Sequence, residues 1–323
     1  MYDVVTIGDS TIDMFLEIDE ATLHCNVKTN DCQLCFNYSE KIPITGAHQS
    51  IGGNAANVAV GAQKLGLHTA IMTEVGDDIN GLLIADDLKK MGVDTRYLRV
   101  CKGKETRYAV VLNYKSERTI LSYHAPRTYK LSTLPKTKLI YFSSLGKTFE
   151  RTQDRVLAYK KKHPGTILAC NPGSYQYNEG IKKTREILPF VDILFVNKEE
   201  AEKLTQKNAA IPELIHSLHK KGVKLAVITD GEKGSYVSEG SQIYMMPCFP
   251  VKPTSRTGAG DAYASGFISA RLKGYSIIDS MRWGTANAAG VIQQFGGQAG
   301  LLTIKQINSS LKKYSSIEPK LLP

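Results

Sequence analysis

The sequence predicts an α/β fold, in which a doubly wound, mostly parallel sheet carries a small inserted antiparallel β lid. Apolar strand-like runs alternate along the chain with amphipathic helical stretches, and several of these stretches end at a glycine. A repeated β-α-β order places helices on both faces of a parallel sheet. The lid is predicted from two segments that break this order, because apolar and polar residues alternate there with a period of two.

The predicted core strands follow one another from the N-terminus onward. They are expected at residues 2–8, 69–75, 138–143, 166–170, 193–196 and 225–229. Helices are expected between and after these strands, at residues 57–65, 79–91, 150–162, 178–188, 199–205 and 210–221. The first two helices stop at Gly66 and Gly92, and glycine readily adopts the left-handed conformation that closes a helix.

The lid is assigned to residues 11–49 and 104–128, and the α/β core to residues 1–10, 50–103 and 129–323. In the second lid segment, apolar runs on either side of Lys115-Ser116-Glu117 predict a hairpin. A small sheet over an α/β core can exclude water from a reaction beneath it. The alternative is an edge extension that takes no part in a site.

Composition places the chain among globular proteins, since 42% of its 323 residues are hydrophobic and 22% are charged. No apolar run reaches the length of about 18 residues that a membrane span needs. The N-terminus lacks a basic region before an apolar one, so we expect no secretory signal and a cytoplasmic location. The net charge of +10 is spread over the chain, which favours a solvated surface over nucleic-acid binding.

Three of the six cysteines lie close together in the first lid segment, in the order His24-Cys25-x6-Cys32-x2-Cys35. Four soft ligands of this kind could hold a structural zinc ion. The spacer is short, however, and an adjacent His-Cys pair matches no common zinc module. A reduced loop without metal is therefore the favoured interpretation.

The strongest chemical signal is the segment Thr257-Gly258-Ala259-Gly260-Asp261, which is followed by a helical pattern that stops at Gly274. Small residues let consecutive backbone N–H groups converge, and a helix N-terminus favours negative charge, so this turn can hold a transferring phosphoryl group. Asp261 in the first turn is placed to accept the proton of an attacking hydroxyl. Alternatively, the segment is a plain strand-to-helix turn and Asp261 caps the helix.

This segment resembles the C-terminal signature of the PfkB/ribokinase kinases. Residues 51–66, which contain Gly52-Gly53-Asn54-Ala55-Ala56-Asn57, resemble the N-terminal signature of the same family. The two motifs together are specific, and the resemblance covers essentially the whole chain. It implies a ribokinase-like fold and an ATP-dependent phosphotransferase that uses Mg²⁺.

The resemblance implies roles for particular residues. Asp261 would be the general base, and the backbone of Gly258, Ala259 and Gly260 would form the anion hole. The implied acceptor-binding residues are Asp13, Gly52, Gly53, Asn54 and Asn57. An ordinary N-cap role for Asn57 is compatible with acceptor binding.

The nucleotide side of the site is implied by motifs that follow predicted strands, where ligands gather in sheets of this kind. The implied ATP-binding residues are Asn197, Thr229, Gly231, Gly234 and Asn287. Glu200, in Asn197-Lys198-Glu199-Glu200, would order the hydration shell of Mg²⁺. The turn at 229–234 also fits a plain hairpin, and Asn171 after another strand faces the same edge.

Three positions depart from the family pattern or narrow the class of acceptor. Ser255 stands where many members have an aspartate, which argues against a monovalent-cation site. Arg256 adds a charge near the phosphates that either clamps them or points to solvent. Asn54 stands where members that act on phosphorylated sugars tend to carry lysine, which favours an unphosphorylated acceptor.

The sequence therefore predicts ATP-dependent phosphorylation of an unphosphorylated sugar of the ribose, fructose or keto-deoxy-sugar class. The main alternative is a nucleoside kinase of the same fold, with Phe15, Phe36 or Tyr108 lining a slot for the base. A binding protein without catalysis is a more distant alternative. P-loop, nucleophile-elbow and dinucleotide-binding motifs do not occur in the sequence. The edges and apolar face of an inserted sheet predict a homodimer formed through the lid.

Overall fold

A computed structural model of the chain describes residues 1–26, 31–115 and 117–322, and the elements below are those of these residues. The strands are β1 (Tyr2–Ile7), β2 (Thr11–Glu17), β3 (Thr22–Asn26), β4 (Asp31–Cys35), β5 (Gly46–Gly52), β6 (Thr69–Gly76), β7 (Leu98–Cys101), β8 (Arg107–Tyr114), β9 (Glu117–Tyr123), β10 (Thr137–Phe142), β11 (Ile167–Cys170), β12 (Ile193–Asn197), β13 (Leu225–Thr229), β14 (Ser235–Glu239), β15 (Ile243–Met246) and β16 (Lys320–Leu321). The helices are α1 (Asn54–Lys64), α2 (Ile79–Lys90), α3 (Phe149–Lys162), α4 (Ser174–Asn178), α5 (Ile181–Arg185), α6 (Lys198–Thr205), α7 (Ile211–Lys220), α8 (Ala259–Leu272), α9 (Ile277–Val291) and α10 (Ile304–Lys313).

The large sheet has the strand order β16-β15-β14-β13-β12-β11-β10-β1-β6-β7. Neighbouring strands from β13 to β7 run parallel, and β14, β15 and β16 are added antiparallel at one edge. Successive residues of β1 enter different cores: Val4 packs with α1, α8 and α9, and Val5 packs with α3, α6 and α7. Burial on both faces explains why these strands are almost continuously apolar in sequence.

A smaller sheet of β5, β2, β8 and β9, called the lid sheet below, lies at the edge of the core. β2 pairs antiparallel with β5 and parallel with β8, and β9 returns antiparallel to β8. The cross-strand partners Ile12, Ile51 and Tyr108 pack against the core beside α1 and α2. β5 continues to Gly52 and so runs through the core–lid boundary predicted at residue 50.

A buried ion pair joins the lid sheet to the core. Arg107, the first residue of β8, places Nη1 2.5 Å from Oδ2 of Asp9, which follows β1. The Tyr129 hydroxyl accepts from Arg107 Nη2 at 2.7 Å and donates to Asp9 Oδ1 at 3.0 Å. Removing either charge would leave the other buried without a partner, at a cost of about 3–5 kcal/mol. The ion pair therefore fixes the base of the lid sheet on the end of β1.

One predicted helix is shorter in the structure. Of the helix expected at 178–188, only α5 is formed, and Gly180 separates it from the preceding helix α4. A Cβ at Gly180 would lie 2.3 Å from Cε1 of Phe149, so the chain packs too closely there for another residue. The helical periodicity of the sequence did not reveal this contact with α3.

The prediction for the cysteine cluster is wrong, because Cys25 and Cys32 are joined by a disulfide bond. They are direct cross-strand partners in the β3–β4 hairpin and so face the same side. His24 lies one position from Cys25 and Cys35 lies three positions from Cys32, so both face the other side, because side chains alternate along a strand. Within the described residues, no group of three or more His, Cys, Asp or Glu side chains could hold a metal ion.

None of the helices in the described part of the chain combines the length and the apolar character that crossing a bilayer requires.

Helix α1 packs closely against α8 in the site region. A Cβ at Gly61 on α1 would lie 2.3 Å from Oγ of Ser265 on α8. That hydroxyl is held in place, since it donates to the Ala262 carbonyl at 2.9 Å and accepts from Asn287 Nδ2 at 3.0 Å. Glycine at this position therefore sets the distance between the two helices.

We expect Gly61→Val to lower the free energy of unfolding by about 1–3 kcal/mol, because the added methyl groups force α1 away from α8. Urea unfolding followed by circular dichroism measures the change. Gly165→Val is the matched control, since no atom lies within 4 Å of a Cβ at that glycine. Equal stability of the two variants would contradict the close contact.

The disulfide predicts a specific thiol count. Cys35, Cys101, Cys170 and Cys248 are free, so denatured protein purified without reductant should take up four alkylating groups, and six after reduction. Mass spectrometry gives the count, and peptide mapping should find Cys25 linked to Cys32. Six modified cysteines before reduction would show that the hairpin is not cross-linked.

Candidate active site

Most of the predicted site residues meet at one cavity of about 870 Å³, beside the carboxyl ends of the parallel strands. The predicted residues that line it are Asn54, Asn197, Glu200, Thr229, Gly231, Gly234, Gly258, Ala259, Gly260 and Asp261. They come from segments far apart in the chain. Parallel strands place all their carboxyl ends at the same edge, which explains the convergence.

Asp261 is a buried carboxylate in the first turn of α8. Its Oδ2 accepts a hydrogen bond of 2.8 Å from Nδ2 of Asn57 on α1. Burial raises the pKa of Asp261 to about 6; the Asn57 hydrogen bond lowers this pKa, and the negative charge of Asp13 raises it further. A carboxylate with this pKa can take up a proton near neutral pH and release it again.

The turn before Asp261 needs small residues for steric reasons. Gly258 has a φ of 78°, and a Cβ there would lie 2.4 Å from Cα of Gly297. At Gly260 a Cβ would meet no atom within 4 Å, and this glycine lines the cavity. Space therefore opens beside the first turn of α8, where the N–H groups have no partner within the helix.

Gly52, one of the predicted acceptor residues, lies beside Asp13 on β2. Its Oδ1 accepts from Thr11 Oγ1 at 2.7 Å, and a Cβ at Gly52 would lie 2.0 Å from its Oδ2. Burial raises the pKa of Asp13, against the lowering effect of the Thr11 hydrogen bond. Gly53, with a φ of 94°, is the N-cap of α1. Asn57 therefore lies in the first turn of α1, and its alternative role as an N-cap is wrong.

Asn54 is held by a second amide. Its Nδ2 donates to Oδ1 of Asn171 at 3.1 Å, and Asn171 Nδ2 donates to the Phe195 carbonyl at 2.8 Å. Asn171 follows β11 and lines the cavity, as its position after a predicted strand indicated. The orientation of the Asn54 amide is thus set by a neighbouring strand end.

Glu200 and Asn197 form a capping box at the start of α6. Glu200 N donates to Asn197 Oδ1 at 2.8 Å, and Asn197 N donates to Glu200 Oε2 at 2.9 Å. Burial raises the pKa of Glu200 to about 7; the hydrogen bond from Asn197 lowers this pKa, and the negative charge of Asp261 raises it. The carboxylate therefore lies beside the cavity, where the effect of burial on its pKa outweighs the lowering effect of the Lys203 charge.

The turn after β13 is a short 3-10 helix (Gly231–Lys233) before the antiparallel strand β14. Gly234 closes it with a φ of 94°, and a Cβ there would lie 2.1 Å from the Met246 carbonyl. The segment is thus a hairpin turn that also forms part of the cavity wall. Arg256, whose direction the sequence left open, lines the cavity and pairs with Glu232 of this turn at 2.5 Å.

Asn287, a predicted ATP-binding residue, is not among the residues that line the cavity. The amide is fully buried; it donates to the Ala262 carbonyl at 2.9 Å and to Ser265 Oγ at 3.0 Å, and it accepts from Leu302 N at 2.9 Å. Its hydrogen bonds hold α9 and the chain after it against α8. The role of Asn287 is structural.

The sequence prediction missed the wall that α9 does contribute. Thr285, Ala288, Ala289 and Ile292 line the cavity, and they are spaced as i, i+3, i+4 and i+7, which is one face of a helix. Phe249, Val251 and Pro253 line it as well. Helical periodicity could have identified the α9 face, although it does not distinguish a cavity wall from a core.

The lid sheet also reaches the cavity. Glu117, Arg118 and Ile120 at the start of β9 are among its lining residues, which the sequence did not single out. The aromatic residues proposed for a base-binding slot lie elsewhere. Phe15 is fully buried with its ring 6.0 Å from that of Phe295, and Tyr108 packs against the core.

The family model described as pfkB family carbohydrate kinase matches residues 15–304. The chain belongs to this family. The predicted relationship is thereby confirmed, and this kinase is a phosphotransferase enzyme.

Similar proteins agree with this membership. The kinase is 26% identical to the ATP-dependent 6-phosphofructokinase of Thermoanaerobacterium thermosaccharolyticum, with 97% of this chain and 95% of the relative covered. It is 29% identical to the ribokinase of Bacillus subtilis, with 80% and 87% covered. The crystal structure of the Methanocaldococcus jannaschii nucleoside kinase superposes with a TM-score of 0.79 at 24% identity, covering 97% of this chain and 99% of that one. The predicted ribokinase-like fold is confirmed.

The raised pKa of Asp261 predicts a stability change. The folded enzyme disfavours the ionised carboxylate, so it loses stability as pH rises from about 4, the pKa of an unfolded aspartate, to about 6. Asp261→Asn removes this loss and should unfold at higher urea than wild type above pH 6. The expected gain is about 3 kcal/mol, since each pKa unit corresponds to about 1.36 kcal/mol.

Urea unfolding at pH 4 to 8 provides the measurement. Asp19→Asn, at an exposed position, serves as the control and should follow the wild-type pH dependence. If the difference between Asp261→Asn and wild type stayed constant from pH 4 to 8, the carboxylate would not have a raised pKa.

Proposed function

We propose that this kinase transfers the γ-phosphoryl group of ATP to a hydroxyl of an unphosphorylated sugar, with Asp261 as the general base. One observation carries the proposal. The buried Asp261 carboxylate lines the nucleotide-sized cavity and at the same time accepts a hydrogen bond from Asn57 of the predicted acceptor motif. A base between the two ends of a site is where direct transfer from donor to acceptor needs it.

The cavity wall supports a nucleotide. The face of α9 with Ala288, Ala289 and Ile292 and the segment with Phe249 and Val251 offer an apolar surface for an adenine ring. The turn with Thr229 and Gly231 would supply polar backbone groups near the phosphates. Arg256 would supply a positive charge there. These contacts would place the phosphate chain toward the first turn of α8.

The residues at Glu200 fit a hydrated divalent cation. Its carboxylate lies beside the cavity with a pKa raised to about 7, so a nearby positive charge would stabilise its ionised form. Mg²⁺ commonly keeps several waters and uses one or two protein carboxylates together with phosphate oxygens, and an enclosing cage of protein ligands is unnecessary. Bound there, the ion would neutralise charge on the phosphates.

The proposed transfer is a single displacement. The acceptor hydroxyl gives its proton to the Asp261 carboxylate while its oxygen forms a bond to the γ-phosphorus, and the bond to the β,γ-bridging oxygen breaks to release ADP. Backbone N–H groups of Gly258, Ala259 and Gly260 and the N-terminus of α8 would stabilise the charge on the transferring group. Asp13 would accept a hydrogen bond from another hydroxyl of the acceptor.

The acceptor is proposed to be a sugar because Phe15 and Tyr108, two of the aromatic residues suggested for a base-binding slot, are already used in packing. Phe15 and Tyr108 face the interior, and Phe36 lies outside the lid sheet, just beyond β4 of the disulfide-linked hairpin. The polar groups around Asp13 suit hydroxyls. Asn54 is an amide held by Asn171 and brings no charge for an acceptor phosphate.

The division into a core and a lid, and a homodimer through the lid sheet, remain part of this proposal. The start of β9 lines the cavity, which supports a lid that closes over bound substrates. Leu121 and Tyr123 on the same edge strand are half exposed, at 56% and 49%, which supports burial against a second copy.

An acceptor screen tests the proposal. ADP release is measured with ribose, fructose, 2-keto-3-deoxygluconate, fructose 6-phosphate, adenosine, inosine and cytidine, in the presence of ATP and Mg²⁺. We expect turnover with an unphosphorylated sugar. Asp261→Asn should lower kcat by about 10²–10⁴-fold or more, the usual contribution of a general base, and leave ATP binding by calorimetry nearly unchanged.

The outcomes are separable. Turnover with nucleosides alone, or with the phosphorylated sugar alone, would overturn the proposed acceptor. Wild-type turnover by Asp261→Asn would overturn the assignment of the base.

A further inference from the structure

A chain of amides leads from the surface of the site to Asp261. Gln298, in the loop after α9, donates through Nε2 to Oδ1 of Asn57 at 3.1 Å. Asn57 in turn donates through Nδ2 to Oδ2 of Asp261 at 2.8 Å. Asn57 is buried, with 4% of its surface exposed, so both ends of its amide are occupied by protein groups.

The chemistry of this chain gives it a direction. An amide has a donating end and an accepting end, whereas an ionised carboxylate can only accept. The N–H₂ of Gln298 can bond only to the oxygen of Asn57, which leaves the N–H₂ of Asn57 turned toward Asp261. The opposite orientation of Asn57 would bring its oxygen against the carboxylate, and it would bring two N–H₂ groups together. The carboxylate thus requires the N–H₂ of Asn57, and Gln298 stabilises this orientation by donating to the other end of the amide.

The loop that carries Gln298 is fixed on both sides. A Cβ at Gly297 would lie 2.5 Å from Asn57 Nδ2, and Cα of Gly297 lies close to the Gly258 turn. Phe295 stacks on His48 of β5, with ring centroids 4.6 Å apart. The loop therefore packs between the lid sheet and the turn before α8, which holds the Gln298 side chain in a defined place.

We propose that Gln298 is a positioning residue for the phosphoryl transfer, because it holds the Asn57 amide in the orientation that donates to the base. This inference rests on the proposed function of Asp261. It also changes the role of Asn57, which the sequence assigned to the acceptor and the geometry assigns to the base. The Asn57 hydrogen bond lowers the pKa of Asp261, so losing its orientation should leave the base protonated to higher pH.

The other ionisable groups that act electrostatically on Asp261 are known from the described residues. Asp13 on β2 raises the pKa of Asp261, and the charge of Asp261 in turn raises the pKa values of Glu200 on α6 and Tyr141 on β10. These groups are the same in every variant below. Saturating Mg²⁺ keeps the state of Glu200 constant, so a change in the pH profile can be assigned to the amide chain.

The test compares the pH profile of kcat in wild type, Gln298→Glu, Gln298→Met and Gln293→Glu, with the best acceptor at saturation. A glutamate at 298 cannot donate to Asn57 when ionised, and its acceptor oxygens favour the reversed amide. We expect the acidic limb of Gln298→Glu to move up by about one pH unit, with a rate about fivefold lower at pH 6, about tenfold lower below pH 5 and close to wild type above pH 8.5.

Gln298→Met should move the acidic limb in the same direction by a smaller amount than Gln298→Glu, since the amide is then free to turn. Gln293→Glu adds the same charge just after α9, where the glutamine side chain donates to the Ala289 carbonyl. It should keep the wild-type profile. Urea unfolding and the KM for ATP, which a positioning role leaves nearly unchanged, show that each variant is folded.

Two failures can be told apart. If Gln298→Glu and Gln298→Met keep the wild-type acidic limb while Asp261→Asn is inactive, Gln298 only anchors its loop and the inference is overturned. If Asp261→Asn is itself active, the proposed base is wrong and the inference falls with it.

Discussion

The close approach of α1 and α8 is the constraint on which the site depends. Gly61 leaves no more than a hydrogen atom between α1 and Ser265, and Asn287 holds that serine from the side of α9. Asn57, one turn before Gly61, is thereby brought within 2.8 Å of Asp261, although 204 residues separate them in the chain. A wider helix spacing would break this hydrogen bond and remove the N–H donor from the base. The small residues of both motifs therefore have a packing role before they have a chemical one.

Burial of acidic groups at one edge of the sheet gives the site its electrostatic character. Asp13, Asp261 and Glu200 each have a raised pKa, chiefly because burial disfavours their charge. The protein thus bears an energetic cost in the free state that a hydroxyl, a proton or a cation can relieve on binding. Burial raises the pKa of Asp9 as well, but there Arg107 supplies a buried partner whose charge lowers this pKa, and the pair attaches the lid sheet. Among the described residues, the carboxylates of the site form no ion pair, whereas the Asp9 carboxylate forms one with Arg107 and attaches the lid sheet.

Sequence reasoning succeeded where local rules determine the outcome. The strands with continuous apolar residues and the Gly-rich turns before α1 and α8 were placed within a few residues, because strand burial and steric need are visible in residue type. It failed where a distant contact decides. Gly180 separates α4 from α5 where the chain packs against Phe149, and the Asn287 amide is used in hydrogen bonds to α8. Helical periodicity reveals neither contact. The cysteines illustrate the same limit, since cross-strand register pairs Cys25 with Cys32 and turns Cys35 away.

The sequence by itself determined the family, the α/β order and the turn that presents Asp261, since these follow from motifs and short-range patterns. The tertiary structure decided which groups the motif residues contact. Asn57 could be read from the sequence as an acceptor ligand or a helix cap, and folding places it between Asp261 and Gln298. An amide has the same two ends in any sequence context. Only the neighbours that folding brings to it determine which end faces the base.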